Sequence, residues 1–209
     1  FSLDENQYKL TVSIGISLYP FDADSEETMI RHADVAMYRA KEQGRDQHCF
    51  FSNELETTLL QRHNIETLLR NALENNELEV HFQPQIDLTT SKIIAVEALV
   101  RIKHDNAYIP PLDFIPIAEE IGLINKLGEQ VLLKSCQMAY RWKKAGYPLK
   151  VAVNIAAKQF ANPEFYNQVM NTLEQTCLPS KYLELEVTES ALMNDFDETK
   201  ALLDRFSLA

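Results

Sequence analysis

Three oxygen-bearing side chains, Glu97, Asn154 and Glu186, each fall late in a short run of alternating apolar residues. Carboxylate and amide oxygens are hard donors, the kind that Mg²⁺ or Mn²⁺ takes, whereas zinc calls for histidine or thiolate. No histidine or cysteine lies within these three runs. In an extended segment, residues two apart share a face. Ile94, Val96, Ala98 and Val100 therefore line one face of a strand over 93–101, and Glu97, Leu99 and Arg101 line the other. Val151, Val153 and Ile155 oppose Ala152 and Asn154 in a strand at 150–155, and Leu183, Leu185 and Val187 oppose Glu184, Glu186 and Thr188 at 182–188. In a parallel α/β barrel such polar faces meet in the interior and at the C-terminal mouth, where catalysis sits. The same alternation also suits a one-sided sheet whose polar face meets water.

The elements between these runs favour βα units. Leu78, Val80 and Phe82 alternate with Glu79, His81 and Gln83, and the turn Thr89-Thr90-Ser91-Lys92 joins this strand to the next. So short a connection requires an antiparallel pair. Helical periodicity follows at about 113–122 and 126–145, near 163–176, and from about Asp197 onward. Strands separated by helices of that length imply parallel pairing. Upstream, residues 10–19 read as a strand ending at Pro20. Asp24 with Glu27 resembles a capping box, Met29, Ala33, Ala36, Met37 and Ala40 repeat at helical spacing, and Gly44 supplies a C-cap. Cys49-Phe50-Phe51 suggests a further strand, and Glu54 to Asn75 a helix connecting two domains.

Composition narrows the function. A net charge of -11 over 209 residues argues against binding duplex DNA or RNA, which needs basic residues to replace counterions. A small anionic ligand screened by metal remains compatible. No GxGxxG or GxxxxGK is present, so side chains and metal, not a glycine loop, must hold any phosphate. Cys49, Cys136 and Cys177 are odd in number and far apart, which reads as free buried thiols in a reducing, cytoplasmic compartment. No apolar run approaches the ~18–20 residues that span a bilayer. Any membrane anchor of a longer protein is expected upstream, because the chain opens on Phe1 and not Met.

The run Val96-Glu97-Ala98-Leu99-Val100-Arg101 resembles the signature of the EAL family. Phe82-Gln83-Pro84, Phe114-Ile115-Pro116-Ile117-Ala118-Glu119-Glu120, Val151-Ala152-Val153-Asn154-Ile155 and Leu185-Glu186-Val187-Thr188-Glu189-Ser190 continue the match in the family's order. The runs Val12-Ser13-Ile14-Gly15-Ile16-Ser17 and 32–45 similarly resemble the closing segment of a GGDEF, or diguanylate cyclase, domain. The resemblance implies a GGDEF–EAL hybrid. Its C-terminal GGDEF part would be 1–52, its connecting helix 53–64, and the N-terminal half of its EAL domain 65–209. The fold implied is α/β, a partial TIM-like (β/α) barrel with an antiparallel first strand, preceded by part of a nucleotide-cyclase-like domain.

That resemblance also implies roles. Glu97, Asn154 and Glu186 would ligate Mg²⁺ or Mn²⁺, with Glu97 catalytic. Glu189 would be a catalytic helper holding the loop that organises the metal site. Gln83, Leu99 and Arg101 would contact cyclic-di-GMP, Arg101 at a phosphate, where a guanidinium can pair two oxygens. In the GGDEF part, Lys41 and Arg45 would face a nucleotide triphosphate, GTP. Packing explains Gln83 and Glu189 as well as a site does, and a solvated helix end explains Lys41 and Arg45. The implied activity is hydrolysis of cyclic-di-GMP to linear pGpG in bacterial signalling, by a full-length protein that is a homodimer. The rival is a degenerate EAL module that binds the dinucleotide without cleaving it. Val100, Ile102, Asp105 and Ile155-Ala156 depart from the family's usual residues, changes of packing that leave the ligands intact. The chain stops at Ala209, before the family's Asp-Asp-Phe-Gly loop, later Lys and further Glu, so this piece alone is expected to be inactive.

Overall fold

The computed structural model describes residues 2–3, 6–7, 10–105, 107–187 and 196–207. The chain divides into two compact units, Phe1–Asn64 and Ile65–Ala209.

In the first unit, β1 (Ser2–Leu3) pairs antiparallel with β2 (Asn6–Gln7). β3 (Ile14–Ile16) pairs parallel with β4 (His48–Phe50), and α1 (Glu26–Glu42) crosses between them. The expected strand over 10–19 shrinks to three residues, and Leu10, Val12, Ile14 and Leu18 are exposed, because only β4 hydrogen-bonds to it among the described residues. Gly15 permits the close approach of α1, since a Cβ there would overlap the Ala33 carbonyl. Ser25, not Asp24, caps α1: its side-chain oxygen accepts from the Thr28 N–H. Gly44 stands just past the helix end with φ 109°, the C-terminal role its type predicts.

α2 (Asn53–Glu74) is one helix across the division at Asn64, and it continues beyond the segment 53–64 expected as the connector. Carbonyls at and just past its end are satisfied from α4 (Ile124–Lys144): Gln130 Nε2 donates to Leu73 O at 2.8 Å. Lys134 Nζ donates to Asn76 O and Leu78 O at 2.9 and 2.6 Å. These bonds fix where β5 (Glu79–Asp87) begins, and burial lowers the pKa of the Lys134 ammonium.

In the second unit, β5 runs antiparallel to β6 (Lys92–His104) through a turn in which Asp87 Oδ1 accepts from the N–H groups of Thr89 and Thr90. β8 (Lys150–Ile155) joins β6 in parallel, and β9 (Leu183–Val187) joins β8 in parallel. A fifth strand that the sequence pattern did not yield, β7 (Ala107–Ile109), folds back on the end of β6. The sheet order is β5-β6-β8-β9 with β7 off β6. α3 (Pro111–Glu120) and α4 lead to β8. A short α5 (Ala157–Phe160), also unexpected, α6 (Phe165–Thr176) and a 3₁₀ turn at Ser180–Tyr182 lead to β9. α7 (Phe196–Ser207) follows.

The apolar sheet face packs under these helices: Val96, Ala98, Val100, Ile102, Val151, Val153 and Ile155 meet Phe114, Leu132, Cys136 and Phe165. Burial of such side chains is worth about 1.5–3 kcal/mol each. Ile94, expected in this face, is exposed because β8 begins pairing only at Ala95. The thiols also differ from expectation: Cys136 is buried, Cys49 half-buried, and Cys177 exposed at the left-handed end of α6. No helix among the described residues is long and apolar enough to cross a membrane.

Candidate active site at the open sheet face

Register decides which polar residues share the face opposite the helices. Gln83 pairs with Glu97, His81 with Leu99, and Glu79 with Arg101 across the antiparallel pair. Directly paired residues project to the same side. Glu97 is level with Ala152, and Asn154, two residues further along β8, pairs with Glu186. Gln83, Glu97, Leu99, Arg101, Asn154 and Glu186 therefore lie on one face, toward the C-terminal ends of the parallel strands.

The contacts are closer than register requires. Asn154 Nδ2 donates to Glu97 Oε1 at 2.7 Å. Burial raises the pKa of the Glu186 carboxyl, and repulsion from Glu97 and then Glu184 adds to this; a hydrogen bond from the Gln85 side chain opposes it. Glu97 and Glu186 are half-buried, while Asn154 and Gln83 are exposed. Arg101 is half-buried, with Nη1 donating to the Val100 carbonyl at 2.8 Å. Glu189 lies outside the described residues. In the first unit Lys41 occupies the last turn of α1, and Arg45 sits just beyond it at φ 61°, both exposed.

Two participants were not among the sequence candidates. Gln85 reaches Glu186, and Glu184 adds a third carboxylate to its field. Gln85 sits two residues past Gln83, so period-two alternation gives its face but not its partner on β9. Among the described residues, no three His, Cys, Asp or Glu side chains form a metal-holding group. The donor set on this face is instead two carboxylates, Glu97 and Glu186, with the amide of Asn154 between them. Among the described residues no Lys or Arg forms a salt bridge with Glu97, Glu184 or Glu186. Unneutralised carboxylates beside an amide oxygen fit a hard divalent cation. The Asn154 nitrogen already faces Glu97, which leaves its carbonyl oxygen as the available donor.

Helix-covered parallel strands with an oxygen-rich open face define the class: an α/β domain of the TIM-like kind, with its candidate site at the strand ends. The family model described as the EAL domain matches residues 66–208, and the chain belongs to that family. The model described as the diguanylate cyclase, GGDEF domain, matches residues 1–47. The chain is 36% identical over 209 residues to the bifunctional diguanylate cyclase/cyclic di-GMP phosphodiesterase MucR of Pseudomonas aeruginosa, covering 99% of this chain and 30% of MucR. It is 38% identical over 196 residues to the cyclic di-GMP phosphodiesterase PdeR of Escherichia coli, covering 93% of this chain and 30% of PdeR. Among solved structures, the PaMucR phosphodiesterase in complex with c-di-GMP superposes with a TM-score of 0.66 at 37% identity, over 69% of this chain and 60% of that one. The chain spans 24–30% of the length of the curated relatives it matches first.

Proposed function

We propose that the full-length protein carrying this chain hydrolyses cyclic-di-GMP to linear pGpG, and that Glu97, Asn154 and Glu186 hold the Mg²⁺ or Mn²⁺ the reaction uses. The observation that carries this reading is the shared open face, where Asn154 bonds Glu97 directly and stands beside Glu186 in register. The relatives named as cyclic di-GMP phosphodiesterases, and the c-di-GMP complex of PaMucR, support the substrate. We also propose the division 1–52, 53–64 and 65–209, which the family matches and the two compact units support.

Divalent ions in such a site polarise a phosphoryl oxygen and acidify a water. The chain's own residues have separable tasks. Arg101 and Gln83 grip the ligand, the guanidinium taking a phosphate through paired N–H donors. Leu99, half-buried between their levels, supplies an apolar floor. The hydrogen bond from Gln85 keeps the Glu186 carboxylate aimed across the face. Glu189 completes the proposed catalytic set. In the GGDEF segment, Lys41 and Arg45 are proposed to face the phosphates of GTP; their exposure at the positive-φ end of α1 leaves them free to do so.

The test is Mn²⁺-stimulated hydrolysis of cyclic-di-GMP by the full-length protein, followed by chromatography of pGpG. Glu97→Ala is expected to abolish the stimulation. Unchanged turnover in that variant overturns the assignment, and tight binding without any turnover in the wild type favours the receptor reading instead.

A further inference from the structure

Beyond the proposed metal ligands, the same open face carries a second polar cluster built from two strands. Tyr108 Oη on β7 donates to Glu79 Oε2 on β5 at 2.8 Å. His81 Nε2 lies 3.4 Å from the same oxygen. The His81 and Tyr108 rings meet edge to face, with centroids 4.9 Å apart at 78°. Register puts all three on the candidate-site side: Glu79 opposite Arg101, His81 opposite Leu99, and Tyr108 opposite Lys103. His81 and Tyr108 are exposed and Glu79 is half-buried, although a cluster serving only to staple β7 onto the sheet would gain most from being buried.

We propose that Glu79, His81 and Tyr108 form a subsite that reads the Watson–Crick edge of one guanine base of the cyclic dinucleotide. This rests on the proposed function and adds a specificity-determining set to it. Glu79 and Arg101 are direct cross-strand neighbours, with Cβ atoms about 5 Å apart. A phosphate on Arg101 thus brings its own nucleoside to Glu79. Guanine presents two adjacent donors, the ring N1–H and the exocyclic amine, and a carboxylate is the acceptor that takes both. Oε2 of Glu79 is held by Tyr108 and His81, which restrains the carboxylate, and Oε1 makes no side-chain hydrogen bond among the described residues. Those two bonds also lower the Glu79 pKa, the Tyr108 bond most, so the acceptor stays ionised at neutral pH. The rings of His81 and Tyr108 offer apolar surface for the base. Adenine, whose N1 is an acceptor, would leave the carboxylate facing a lone pair.

The experiment is calorimetric titration of the full-length protein in EDTA, which stops turnover, with three probes: cyclic-di-GMP, cyclic-di-AMP, and the inosine analogue that lacks only the exocyclic amine. Wild type is expected to bind cyclic-di-GMP about tenfold or more tighter than the inosine analogue. Glu79→Gln, which keeps an oxygen for Tyr108, is expected to collapse that ratio toward one without changing the melting temperature. Tyr108→Phe, which removes only the hydroxyl, moves the ratio in the same direction by less. A Glu79→Gln protein that retains the wild-type ratio overturns the subsite while leaving the proposed function standing. A wild type that binds none of the three overturns both.

Discussion

Replacing Gly128 by alanine sets two effects of opposite sign against each other. Gly128 lies inside α4, and alanine there should gain about 1 kcal/mol from helix propensity alone. The structure argues otherwise, because a Cβ at this position would overlap the side-chain amide of Gln159. That amide cannot swing into water: Gln159 is only 4% exposed. Its Oε1 accepts from the Ala156 N–H at 3.2 Å, holding the first turn of α5 two residues after Asn154. Displacing it costs about 1–3 kcal/mol in overpacking, plus about 1 kcal/mol for the lost bond. The net expectation for Gly128→Ala is a loss of about 1–3 kcal/mol, read as a lower urea midpoint at unchanged slope. Combining it with Gln159→Ala should cost less than the sum of the two single changes, because the shorter side chain removes the overlap. Stabilisation by about 1 kcal/mol in Gly128→Ala would refute this packing argument, since propensity would then have won.

Two further outcomes follow from ionisable groups. The Glu186 carboxyl is raised above its ordinary value of 4.5, first by burial and then by Glu97 and Glu184. Between the ordinary value and the raised one, the native state of the metal-free protein therefore holds more of this proton than the unfolded chain does. Stability is fully present below the ordinary value and is lost as pH rises through the raised one. Urea unfolding in EDTA should show this decline, and either Mg²⁺ or Glu97→Gln should flatten it; a decline that neither alters would count against charge crowding at the site. Burial pushes the Cys136 thiol up to about 12, so it should resist iodoacetamide at pH 8 until the protein unfolds. Exposed Cys177 should alkylate in the native state, as mass spectrometry of the labelled peptides would report.

What could be read from the chain before folding follows from which signals are local. The strand at 150–155 was legible to the residue because Val151, Val153 and Ile155 alternate cleanly and all three bury. The cohabitation of Glu97, Asn154 and Glu186 was legible only in part. Alternation fixes a residue's face, but which strands adjoin, and at what level, is set by pairing. The fate of Ile94 shows the limit: its apolar neighbours are covered, yet the sheet has not gained its third strand at that level. β7 escaped because three residues carry too little pattern, although Asp105 at φ 52° marks the reversal that creates it. The bond from Gln85 to Glu186 and the contact of Glu79 with Tyr108 join distant segments, so no local spacing could announce them.

The most direct measurement is anomalous diffraction from crystals of the full-length protein grown with Mn²⁺. Manganese peaks are expected about 2 Å from carboxylate oxygens of Glu97 and Glu186 and from the side-chain amide oxygen of Asn154. Manganese bound elsewhere, with those three side chains contacting no metal, would contradict it.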